Sequence, residues 1–131
     1  MHYGYTKKTS LPFLAAIERT KEELAREGFG VLSEINVKET MKKKLGVDLD
    51  NYIILGACNP QNAYQALQAE KEIGLLLPCN VIVYENADGV FVSAIVPTVA
   101  LGIAHNEALD LLARDVEDKL KRAVDATATA S

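Results

Sequence analysis

Apolar and polar positions along this chain follow two periods, and the switches between them mark its elements. In "FGVLSEINV", Val31, Ser33, Ile35 and Val37 fall on one side and Leu32, Glu34 and Asn36 on the other, the alternation of a half-buried strand. "YIILGAC", residues 52–58, is nearly all apolar, as in a strand covered on both faces. "LPFLAAIERTKEELAREG" changes period: Phe13, Ile17 and Leu24 recur at helical spacing, with Glu18 and Glu22 on the wetter side and Arg26 four residues after Glu22. Leu109, Leu112, Val116, Leu120 and Val124 make a second helical stripe near the end of the chain.

Capping and breaking residues divide the rest. "MHYGYTKKTS" alternates loosely and suits a first strand at about residues 2–8. Ser10 then offers a cap and Pro12 fits a first helical turn, while Gly28 or Gly30 can end that helix. "KETMKKKLG" reads as a short helix stopped by Gly46, its lysine run a solvated face, followed by a turn at "VDLDN". "NPQNAYQALQAEKEIG" reads as a helix capped by Asn59, with Pro60 at its first position, a small inner face of Ala63, Ala66 and Leu67, and Gly74 as its stop. In "LLLPCNVIVYE" the strand proper starts near Cys79, because Pro78 cannot donate to a ladder. "NADG" is a hairpin turn, "VFVSAIVP" the returning strand, and "TVALGIAH" a connector. Asn106 caps the last helix, which has Glu107 and Asp110 at its start and Lys119, Lys121 and Arg122 near its end, as the helix dipole favours. "TATAS" reads as a frayed tail, giving an ordered core of about residues 2–125 and a tail at 126–131.

The resulting order is β-α-β-α-β-α-β-β-α. It predicts one α+β (or α/β) domain over residues 1–131, a two-layer sandwich with a mixed sheet and helices mainly on one face.

Bulk properties narrow the function. The chain has 131 residues, 49% of them hydrophobic and 24% charged, enough to bury a core without staples. A net charge of −4 speaks against a general nucleic-acid binder, which needs a basic face to displace phosphate counterions. No apolar run reaches the roughly 18 residues that span a bilayer, and the N-terminus has no apolar signal core, so the expectation is a cytoplasmic protein with no membrane partner. Two cysteines are too few for a disulfide framework, and with two scattered histidines, His2 and His105, they make no four-ligand zinc pattern. No nucleotide-binding glycine loop or hydrolase signature appears.

Three blocks, "GFGVLSEINVKETMKKKLGVD", "YIILGACNPQNAYQAL" and "EIGLLLPCNVIVYE", resemble the signatures of a family of small bacterial and archaeal proteins called "domain of unknown function 302". The resemblance runs from about residue 5 to residue 123. It implies a compact α/β domain and makes Cys58, Asn59, Pro60, Pro78, Cys79 and Asn80 characteristic positions. It leaves the activity open and the cofactor unknown.

Chemistry centres on the corner "ACNP". A thiol at Cys58, just ahead of a helix N-terminus, faces free amide hydrogens and the positive end of the dipole, which stabilise a thiolate. The bland alternative is a small hydrophobe finishing a buried strand. Cys58 and Cys79 are candidate ligands for a soft metal if they meet. A right-handed crossover through the helix at 60–73 would make their strands parallel and hold them about 15–20 Å apart. A return through "GLLLP" would make the strands antiparallel and bring the thiols together. Asn59 is a cap; Asn80, amid "PCNVIVY", either ties the preceding loop to the sheet or faces a ligand. Glu70 and Glu72, two apart on a helix, do not face each other and read as surface.

No complete set of acid, base and nucleophile is visible. The leading expectation is therefore a small-molecule or metal binding or regulatory module, leaning away from an enzyme, with ligand contacts at Cys58, Asn59, Pro60 and Asn80. One alternative is a thiol enzyme or redox protein using Cys58. The other is a homodimerisation domain pairing through the apolar "GLLLP" and "GIA" segments.

Overall fold

The computed structural model describes residues 2–131. Five strands form one sheet in the order β1-β5-β4-β3-β2: β1 (Gly4–Thr9), β2 (Gly30–Asn36), β3 (Tyr52–Cys58), β4 (Cys79–Asn86) and β5 (Gly89–Ile95). The helices are α1 (Phe13–Arg26), α2 (Val37–Leu45), α3 (Pro60–Ala69), a short α4 (Pro97–Ala100) and α5 (Asp110–Thr129). The result is an α+β two-layer sandwich. Every neighbouring pair of strands runs antiparallel, so the sheet is not mixed as the sequence suggests. The difference arises between β3 and β4. Helix α3 stops at Ala69 because Glu70 turns extended, and a 3₁₀ segment (Lys71–Leu76) carries the chain back to the end of the sheet it has just left.

Helices α1 and α5 cover the inner face. Leu24, Val116, Leu120 and Val124 meet Leu55, Val81, Val83 and Val92, all nearly or fully buried. Each such side chain contributes about 1.5–3 kcal/mol of transfer free energy. The other face of the sheet carries Tyr52, Tyr84 and Phe91 stacked across three strands, with ring centroids 5.8 and 5.3 Å apart.

Two local features depart from simple periodicity. A bulge between Val31 and Ser33 breaks the alternation of β2: Val31 packs toward the core, while Ser33 and Ile35 lie on the outer face opposite Gly56 and Ile54. Leu32, the extra residue, is left 71% exposed. At the other end of the chain, α5 continues to Thr129 where the sequence suggests fraying. Thr127 is fully buried; its carbonyl accepts a hydrogen bond from Thr9 Oγ1 at 3.1 Å, and the nearly buried Ala130 accepts one from Ser10 Oγ. Small residues with no apolar stripe hide this docking from pattern reading. Other boundaries also move. Asn106 caps a 3₁₀ turn ahead of α5, Pro97 opens α4 instead of ending a strand, and Ser10 does not cap α1, whose first turn follows Pro12 directly.

Candidate functional site: an apolar cleft at the cysteine end of the sheet

Antiparallel pairing places the end of β3 beside the start of β4, with Ala57 opposite Cys79. Both thiols therefore reach the same end of the sheet, where they line one cleft of about 340 Å³. Ala63, Ala66 and Leu67 of α3 form one wall and Leu112 and Val116 of α5 another. Gly74, Leu77 and Leu101 close it from the 3₁₀ segments, and Phe29 and Leu32 from the start of β2. Small residues on α3 leave this space, since larger ones would fill it against the sheet. The interior is hydrocarbon and sulfur.

Asn59 caps α3: its Oδ1 accepts from Asn62 N at 3.3 Å, and its Nδ2 donates to the Glu27 carbonyl at 3.4 Å. One side chain thus ties the α1–β2 turn to the start of α3. Gly28 makes room for it, with φ +86° and an added Cβ only 3.0 Å from Asn59 Nδ2. Gly56 is tight for another reason: a side chain there would collide with Ser33 and lie 3.0 Å from Pro78. The Leu77–Pro78 peptide is cis.

The expected site residues separate into two groups. Cys58, Asn59 and Cys79 border the cleft, with Cys58 half-buried ahead of α3 as the sequence implies. Pro60 sits at the first helical position, exposed and outside the cleft. Asn80 pairs with Gly56 on the outer face of the sheet, exposed and pointing away from the cleft, because it precedes the inward Val81 on an alternating strand. Glu70 does not stand free: its carboxylate accepts from Asn106 Nδ2 at 2.9 Å, holding the α3 end to the turn before α5. His105 is exposed and left-handed, with φ 50°.

Sequence reading misses the polar rim. Asn62, which lines the cleft, donates from Nδ2 to Asp115 Oδ2 at 3.2 Å and accepts at Oδ1 from Lys119 Nζ at 3.2 Å. Lys119 also reaches Asp115 at 2.9 Å, and Arg122 pairs with Glu27 at 2.8 Å beside them. Hydrogen bonds from Lys119 and then Asn62 hold the Asp115 carboxyl below the usual carboxylate range. The i,i+4 spacing of Asp115 and Lys119 was a visible clue; their meeting with Asn62, distant in sequence, was not.

Burial pushes the Cys79 thiol up to about 11, and nearby Cys58 adds to the effect. Cys79 is thus a protonated, weakly nucleophilic thiol at neutral pH. Among the described residues, no three His, Cys, Asp or Glu side chains gather as metal ligands, so the two thiols stand without a third donor of that kind. Likewise, no helix among the described residues is long and apolar enough to cross a membrane.

These features define a class: a small α+β sandwich with an open sheet face and an apolar cleft at one end of the sheet. The chain belongs to the family described as "Domain of unknown function DUF302", whose model matches residues 5–127. It is similar to the crystal structure of an uncharacterized conserved DUF302 protein from Bacillus stearothermophilus. The TM-score is 0.91 at 34% identity, over 96% of this chain and 98% of that one. No functionally curated protein matches it.

Proposed function

We propose that this protein is a binding module that takes a small apolar molecule into the cleft between α3, α5 and the cysteine end of the sheet. The observation that carries this reading is the cleft itself: about 340 Å³ lined by aliphatic, aromatic and thiol groups, within the size range of small-ligand sites. Three groups support binding over chemistry. Asn59 is spent on the cap and the Glu27 carbonyl, Asn62 on the rim, and Cys79 keeps its proton.

A neutral dye such as N-phenyl-1-naphthylamine tests the reading. Saturable fluorescence enhancement is expected, lost in Ala63→Phe, which fills the cleft from a half-buried position. A dye response that is absent, or equal in a folded Ala63→Phe protein, rejects it.

A second observation favours pairing of two copies. Leu75 is 85% exposed and Ile103 66% exposed, and they share one shallow surface depression between the 3₁₀ segments. These are the "GLLLP" and "GIA" segments, which supply a contiguous apolar surface for a twofold contact. Light scattering is expected to give a dimer mass that Leu75→Lys halves; a monomer at all concentrations rejects pairing.

A further inference from the structure

Charged side chains stand next to the cleft, on the outer side of Asn62 and Asn59. Lys119 Nζ lies 3.2 Å from Oδ1 of Asn62 at the edge of the cleft, and Arg122 pairs with Glu27, whose carbonyl accepts from Asn59; the two cations stand just outside the lining and each already holds a carboxylate, Asp115 at 2.9 Å and Glu27 at 2.8 Å. The rim is therefore crowded with charge yet balanced. Behind it lie Leu67, Leu112, Val116 and Phe29, which offer a charged group no partner.

We propose that this balanced rim selects uncharged, largely hydrocarbon ligands with at most one neutral polar group, and discriminates against fatty acids and alkyl amines of the same length. This rests on the cleft being a ligand site. A carboxylate head that docks beside Asn62 either sits against Asp115 or takes Lys119 from it. An ammonium head meets Lys119 and Arg122 in the same way. In either case a formed pair is broken or a like charge is approached, and the entering ion loses hydration. A hydroxyl or carbonyl pays neither penalty, because it carries no net charge and leaves both pairs in place.

Three ligands of one chain length test the inference: 1-decanol, decanoate and decylammonium, each below its aggregation limit at pH 7. Binding is followed through the amide resonances of Ala63, Leu67, Leu112 and Val116 in isotope-labelled protein. Decanol is expected to bind about fivefold more tightly than either ion, the upper end of the scale of one partly exposed charge contact. Asp115→Asn frees Lys119 and is expected to raise the decanoate-to-decanol affinity ratio about fivefold. Lys119→Met frees Asp115 and is expected to do the same for decylammonium. These two variants act in opposite directions, which a general loss of folding cannot imitate. Decanoate or decylammonium binding as well as decanol to the native protein overturns the selection while leaving the cleft a ligand site. Ratios unmoved by both variants also overturn it. If none of the three ligands shifts the cleft resonances, the binding reading itself fails.

Discussion

At the scale of single residues, the corner "ACNP" was legible because its signals are local. A strand end, an asparagine and a proline in succession specify a cap geometry whatever surrounds them, and Asn59 and Pro60 adopt it. Asn80 was not legible, since the face it occupies depends on register with β3. Cys79 shows how environment decides chemistry. Its proton is held to about 11 in the folded protein, against an ordinary thiol value of 9.0 when unfolded. Below pH 8 both states keep the proton, and burial of the neutral thiol is without cost from ionisation. As pH rises from 9.0 toward about 11 the unfolded chain releases its proton first, so stability falls through that window, by on the order of 2–3 kcal/mol in total. Urea unfolding of native protein at pH 8 and pH 10.5, compared with Cys79→Ala, is expected to show a larger alkaline loss in the native chain. Thiol labelling gives an independent check. In Cys58→Ala the remaining thiol loses the contribution of Cys58 but stays buried, so it is expected to react more slowly than a free thiol at pH 8 and to accelerate as pH rises.

At the scale of elements, the strands and long helices followed from periodicity, since burial against a common core imposes it. The bulge at Leu32 and the antiparallel return before β4 did not, because both depend on partners distant in sequence. The end of α5 is the clearest case. Its last residues are Thr and Ala, which carry little hydrophobic signal, yet Thr127 and Ala130 are buried against the first strand and the loop after it. Removal of residues 126–131 exposes that end of the core and strips Thr9 and Ser10 of their carbonyl partners. The expected cost is about 2–4 kcal/mol, from lost burial and two hydrogen bonds. A thermal melt checks this: truncation is expected to lower Tm by roughly 10–20 °C, at the shift per kcal/mol usual for a domain near this size. Thr129→Ala changes an exposed hydroxyl bonded only within its own helix and is expected to leave Tm nearly unchanged.

At the scale of the whole molecule, the cleft and the surface depression proposed for pairing are built on the same two 3₁₀ segments. Gly74 and Leu101 border the cleft, while Leu75 and Ile103, each one or two residues further on, border the surface depression. Both walls are 3₁₀ segments, whose hydrogen bonding is poorer than that of an α-helix and which shift more readily. A ligand that fixes Gly74 and Leu101 also fixes the placement of Leu75 and Ile103, so the two sites are expected to be coupled. Linkage makes the coupling reciprocal: whatever factor decanol applies to the dimer dissociation constant, dimerisation must apply to decanol affinity. Sedimentation velocity with and without saturating decanol gives one factor. Decanol titration at protein concentrations above and below the dimer dissociation constant gives the other. The expected result is tighter association with ligand, by about 5-fold or more, with the two factors equal within error. Leu75→Lys is then expected to abolish the concentration dependence of decanol binding while leaving a monomer that still takes the ligand. A concentration dependence that survives in the monomeric variant would locate the coupling elsewhere than in these shared segments.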